Sequence, residues 1–101
     1  MNYQRFKTWE DAKSFSYPKE NRSNYYSYIP KEDEKLPIPV HGGKEQTPWR
    51  ICERVEKERG IYIEVTPLWV TITIQGEKIA KKRDIPRNGK SVSSVLYEAF
   101  K

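Results

Sequence analysis

Leu68-Trp69-Val70-Thr71-Ile72-Thr73-Ile74 alternates strictly, placing Val70, Ile72 and Ile74 on one face of an extended strand and Trp69, Thr71 and Thr73 on the other. The β-branched residues that dominate it pack well on a pleated surface, making it the strongest strand of the chain. Its neighbours follow from it. Upstream, Ile61-Tyr62-Ile63-Glu64-Val65 repeats the alternation and breaks at Thr66-Pro67, where proline would remove a ladder donor. Downstream, Gln75-Gly76-Glu77-Lys78 supplies a turn, Ile79 to Ile85 returns as a shorter basic strand, and Pro86-Arg87-Asn88-Gly89 makes a second turn.

Helical spacing flanks these strands. Thr47-Pro48 reads as an N-cap followed by proline at the first helical position, where its missing N–H costs nothing. Pro48, Ile51, Cys52 and Val55 then share one apolar face, Arg50, Glu53, Arg54, Glu56 and Lys57 take the other, and Gly60 stops the helix. At the C-terminal end Val92, Val95, Leu96, Ala99 and Phe100 recur at helical spacing. Neither helix is long enough to stand alone, so both are expected to pack on the face bearing Val70, Ile72 and Ile74. The expected fold over residues 47–101 is a compact α+β domain of order α-β-β-β-α, a three-stranded antiparallel sheet packed by two helices.

Residues 1–46 have a different texture. Pro18, Pro30, Pro37 and Pro39 interrupt them, yet they hold five of the seven tyrosines together with Trp9, Phe6 and Phe15. They read as a Pro/Tyr-rich N-terminal arm. Within it, Thr8 to Phe15 forms a short helix capped by Thr8, and Asn24-Tyr25-Tyr26-Ser27-Tyr28-Ile29 forms a short edge strand ended by Pro30. Lys31 to Lys35 is a charged turn, Leu36-Pro37-Ile38-Pro39-Val40 an extended segment, and His41-Gly42-Gly43 a flexible end.

Composition bounds the function. A chain of 101 residues suits one domain with a modest core, and 33% charged residues with a mean hydropathy of −0.93 leave little for more. The single cysteine, Cys52, forms no internal disulfide, the N-terminus has no apolar leader region, and no window approaches the roughly 18 apolar residues of a membrane span. These readings predict a soluble, cytoplasmic protein with no membrane association. The formal net charge of +5 is local, because Lys78, Lys81, Lys82, Arg83, Arg87 and Lys90 stand against Asp84 alone between residues 78 and 90. Such a run is the electrostatic footprint of a surface that meets phosphates, although a solvated charged hairpin reads the same way.

Enzymatic constellations are weak. His41 and Cys52 supply at most two soft ligands where a structural zinc site needs four, and a Cys–His nucleophile would need an exposed thiol. Gly42-Gly43-Lys44 and Asn88-Gly89-Lys90-Ser91 lack the spacing of a phosphate loop, and the carboxylates alternate with lysines as solvated faces do. No enzyme, metal or cofactor is expected. Lys90 and the first N–H groups of the last helix can still meet a phosphate.

The run Leu68-x-Val70-x-Ile72-x-Ile74-x-Gly76-x-x-Ile79-Ala80 resembles the central hairpin of the double-stranded RNA-binding domain, and Pro48, Ile51 and Glu53 resemble its first helix. The family's last helix opens with a lysine-rich KKxAK motif, of which only Lys90 remains, and its minor-groove loop is shortened to Thr66-Pro67. The resemblance implies phosphate contact through Lys90 with Arg87, Lys81, Lys82 and Arg83, and a first-helix contact through Glu53 with Arg50.

The leading expectation is a small non-enzymatic protein that binds RNA or DNA through Lys78, Lys81, Lys82, Arg83, Arg87 and Lys90, with Arg50, Glu53 and Arg54 on the first helix. Tyr25, Tyr26, Tyr28 and Trp69 are candidates for base stacking or partner contact. The alternative is a protein-interaction module, an inhibitor or adaptor of the kind encoded by phages and mobile elements, since aromatic residues dominate interface energetics. Either would act as a monomer, or as a homodimer pairing through the face of Trp69, Thr71 and Thr73.

Overall fold

The computed structural model describes residues 2–17, 24–36, 49–52 and 58–100. Its elements are β1 (Asn2–Phe6), α1 (Trp9–Ser14), β2 (Asn24–Tyr28), β3 (Arg50–Cys52), β4 (Gly60–Val65), β5 (Trp69–Gln75), β6 (Ala80–Pro86) and α2 (Val92–Ala99). The strands form one six-stranded sheet of order β1-β2-β4-β5-β6-β3, with β1 parallel to β2 and the other pairs antiparallel. This corrects the expected three-stranded antiparallel sheet packed by two helices. The β4-β5-β6 meander occurs as its alternation requires, but strands from outside it extend the sheet on both sides.

The first extension comes from the N-terminal segment. An exposed β4 edge would leave a row of unpaired backbone groups beside Ile61 and Ile63, and β2 covers it with Tyr28↔Ile61 and Tyr26↔Ile63. β2 is thus interior, not an edge, and β1 adds Phe6 beside Tyr28. Both halves of the chain share one sheet and one core, built from Phe6, Tyr26, Tyr28, Ile61, Ile63, Val65, Val70, Ile72 and Ile74.

The second extension replaces a predicted helix. Arg50, Ile51 and Cys52 form β3 and pair with Lys82, Lys81 and Ala80 on the far edge of β6. Ile51 is 70% exposed, so the apolar face inferred from Pro48, Ile51, Cys52 and Val55 does not face the core there. In so short a window helical and extended spacings are hard to separate, and the open backbone groups of β6 decide for pairing. Residues 53–57, including Glu53 and Arg54, lie outside the described residues, as do Thr47, Pro48, His41 and the segment 37–40.

Gly60 ends no helix here; it begins β4. A Cβ on it would stand 2.6 Å from the Tyr28 carbonyl oxygen, so only glycine allows β4 to approach β2 this closely.

Both helices cover one face of the sheet. Thr8 caps α1 by accepting from the Asp11 N–H at 3.1 Å, and Ser91 caps α2 by accepting from the Ser94 N–H at 3.2 Å. Val92, Val95, Leu96 and Ala99 enter the core beside Ala12, while Trp9 meets the Phe100 ring at 4.6 Å. Ser93 donates to the Phe15 carbonyl at 3.0 Å, fastening the end of α1 to α2. The opposite sheet face bears Tyr25, Tyr62, Glu64, Thr71, Thr73 and Lys82, all half-buried, with Trp69, Asp84 and Arg50 exposed and Ser27, Gln75 and Ala80 fully buried.

A polar clasp closes the segment after β2. The Tyr28 hydroxyl donates to the Glu34 carboxylate, which also accepts from the Lys31 N–H at 3.2 Å, and Arg59 donates to the Glu34 carbonyl. Burial, then the carboxylate, pushes the Tyr28 hydroxyl from 10.0 up to about 12. The hydroxyl and the Lys31 N–H hold the Glu34 carboxyl below its ordinary 4.5.

The folded state binds the Tyr28 proton more tightly than the unfolded chain and the Glu34 proton less tightly. The tyrosine contribution is present below pH 10 and lost as pH rises through about 12. The glutamate contribution is present above pH 4.5 and lost as pH falls through the depressed value. Urea midpoints measured across pH are expected to fall less steeply at both extremes in Tyr28→Phe than in the wild type; parallel profiles contradict the clasp.

Candidate functional site

Folding separates the cations of the run from Lys78 to Lys90. Successive side chains of a strand point to opposite faces, so Lys81 and Arg83 of β6 lie on the helix-covered side and Lys82 on the open side. Lys81 is only 5% exposed and lies opposite Ile74 and Ile51. Arg83 lies opposite Ile72, with Nη1 buried and without a hydrogen-bond partner among the described residues. Lys81, buried in this way, is not placed as a surface phosphate ligand would be, and Arg83 is half-buried on the same side.

Arg87 and Lys90 are engaged locally. The Arg87 N–H donates to the Leu68 carbonyl at 2.9 Å, and its guanidinium donates to the Thr66 and Lys90 carbonyls at 3.1 and 3.3 Å. It braces the β4–β5 turn against the Arg87-Asn88-Gly89-Lys90 turn, where Asn88 and Gly89 take φ of 50° and 80°. Lys90 Nζ reaches both Glu98 oxygens at 3.2 and 3.3 Å. Lys78 is exposed in the β5–β6 connection and Lys82 is half-buried; neither has an ion-pair partner among the described residues.

The aromatic candidates divide too. Tyr26 stacks on Phe6 at 5.8 Å and Tyr28 lies 5.9 Å from Trp9, both within the core and out of reach of a base. Tyr25 and Trp69 are on the open face, Tyr25 half-buried and Trp69 45% exposed.

A different set comes together through the register. Arg5↔Ser27, Ser27↔Tyr62, Tyr62↔Thr73, Thr73↔Lys82 and Lys82↔Arg50 place one residue from each strand in a single row across the open face. The row spans about 24 Å at ordinary strand spacing. It contains three cations, the half-buried Tyr62 and Thr73, the fully buried Ser27 and no carboxylate. Next to it runs a second row, Tyr25, Glu64, Thr71 and Asp84, which carries the face's carboxylates.

The cations at the row's ends are held, not buried. Arg5 meets Glu58 at 3.5 Å and Arg50 meets Asp84, which also accepts from Thr71 Oγ1 at 2.9 Å. The Arg5 and Arg50 side chains are 54% and 64% exposed. Exposed pairs of this kind are worth little and are screened by salt, so a phosphate can compete for either guanidinium. The Tyr62 hydroxyl donates to the Glu58 carbonyl at 2.7 Å, fixing its ring beside the row.

Arg5 and Tyr62 were not singled out in the sequence. Their signal is faint: Tyr62 is the outward residue between Ile61 and Ile63, and Arg5 lies two positions from Tyr3 in a segment of mixed charge. Among the described residues no group of three or more histidine, cysteine or carboxylate side chains could hold a metal ion, and no helix is long and apolar enough to cross a membrane. Cys52 is half-buried at the end of β3.

No protein-family model, curated protein or solved structure matches the chain, so the likeness to the double-stranded RNA-binding domain stays a likeness.

Proposed function

We propose that the chain is a small, non-enzymatic intracellular protein that binds nucleic acid, with the phosphate backbone laid along the row at Arg5, Tyr62, Thr73, Lys82 and Arg50. The observation that carries this reading is the register, which assembles three cations with the half-buried Tyr62 and Thr73 in a line free of carboxylates. Guanidinium and ammonium groups neutralise phosphates, and hydroxyl groups position them, without any demand on sequence. The reading moves the contact surface from the basic run to the open sheet face, with Lys82 shared by both. Fluorescence anisotropy with a labelled single strand is the test. With three phosphates neutralised, log affinity against log salt is expected to slope at about −2. Affinity that does not change with salt rejects the reading.

A second reading rests on the β4–β5 turn. Leu68 is 71% exposed beside Trp69, on a turn closed by the Thr66 N–H to the Trp69 carbonyl at 2.9 Å and braced by Arg87. A preordered apolar tip binds a protein partner with little ordering cost. A partner retained in nuclease-treated lysate by the wild type and lost by Leu68→Asp supports it, and equal retention by both rejects it.

A further inference from the structure

The row beside the cations has its own chemistry. Tyr25, Glu64, Thr71 and Asp84 lie two residues along the strands from Ser27, Tyr62, Thr73 and Lys82, a displacement of about 7 Å on the same face. That is comparable to the reach from a phosphate, through its sugar, to the attached base. A strand whose backbone follows the cationic row can therefore lay its bases over the adjoining one.

What the bases would meet is specific. Tyr25 offers a half-buried ring opposite Glu64 in the register, two residues along β2 from Ser27. Next to it, Glu64 is half-buried on the open face and its carboxylate makes no hydrogen bond or ion pair with any described residue, whereas Asp84 is committed to Arg50 and Thr71. A carboxylate can only accept hydrogen bonds, so its partner must donate. Cytosine, adenine and guanine present exocyclic amino groups as donors; the only donor on the pairing edge of thymine or uracil, the ring N3–H, is flanked by two carbonyl oxygens that repel a carboxylate. Beside a polyanion, an uncommitted carboxylate repels unless such a donor faces it.

Resting on the nucleic-acid reading above, we propose that the Tyr25–Glu64 row reads bases, and that the ligand is single-stranded nucleic acid with amino-bearing bases. Tyr25 stacks a base and Glu64 accepts from its exocyclic amine. Pairing in a duplex hides the base faces and leaves each amine one N–H at the floor of the major groove, which a six-stranded sheet face is too broad to enter, so a duplex gains only the backbone term.

Anisotropy titrations with homo-oligomers of dC, dA and dT of equal length, and with a dA·dT duplex, test this on the full chain. The wild type is expected to bind dC and dA about tenfold more tightly than dT, the scale of one base-edge contact. In Glu64→Gln the amide can donate as well as accept, so the preference should fall to about twofold or less while overall affinity holds or rises. Tyr25→Ala should weaken every single strand by about tenfold, and Tyr25→Phe should restore it, because stacking uses the ring and not the hydroxyl. Equal binding of dC and dT by the wild type with its salt slope intact overturns the base-reading row and leaves the backbone row standing. A duplex bound as tightly as dC does the same. Loss of salt-dependent binding to every oligomer overturns both.

Discussion

Arg5→Gln/Lys82→Gln/Arg50→Gln is expected to lower single-strand affinity by about two orders of magnitude at about 0.1 M salt and to flatten the salt slope by about 2, since each phosphate contact contributes about 0.7. The three residues come from β1, β6 and β3, far apart in sequence, and they share a row only because the register places them there. The expected stability change is small. Arg5–Glu58 and Arg50–Asp84 are exposed pairs, and such pairs contribute about 1 kcal/mol or less. A thermal unfolding curve close to the wild type's, alongside the lost affinity, separates the binding role from a structural one. By contrast Lys78→Gln/Lys90→Gln, which removes as much charge per residue from the basic run, should leave the slope nearly unchanged, because both residues lie outside the row.

The second large effect concerns the core. Ile72 is fully buried at the centre of β5, with Ile63 on one side and Arg83 on the other. Ile72→Ala removes buried methyl and methylene groups and leaves a cavity between sheet and helices, at a cost of about 2–5 kcal/mol. For a chain this small that is a large share of the total stability. Thr73→Ala, one residue along but on the open face and half-buried, should cost about 1 kcal/mol or less. Urea denaturation of the pair measures the difference; similar losses would contradict the assignment of the two faces.

Much of the centre of the fold was legible in the sequence. The alternation of Ile61 to Val65 and of Leu68 to Ile74 locates β4 and β5, and the spacing of Val92, Val95, Leu96 and Ala99 locates α2 with its buried face. Both are local periodicities. The Thr8 cap likewise marks α1. What escaped was non-local pairing. β1 joins β2 in parallel across an intervening helix, and no local signal specifies that partner. β3 was misread because Ile51 and Cys52 fit a helical face as well as a short strand, and the choice is made by β6, some 30 residues further on.

The site was harder to read for the same reason. The basic run was visible as composition, but alternation along β6 sends Lys81 and Arg83 to one face and Lys82 to the other. Tyr26 and Tyr28 could not be told from Tyr25 until β2 was paired, because all three belong to one β-forming stretch and only their parity assigns them to core or open face. Arg87, read from the sequence as a phosphate contact, also donates to two carbonyls that join the turns on either side of it, which no local pattern shows.

Amide chemical-shift mapping of the labelled protein on adding a dC oligomer tests the central claim most directly. The perturbations are expected to follow the two open-face rows, through Arg5, Tyr62, Glu64, Thr73 and Lys82, with the amides of α2 little changed. Perturbations concentrated instead on the Arg87–Lys90 turn and the start of α2, with the open face silent, would contradict it.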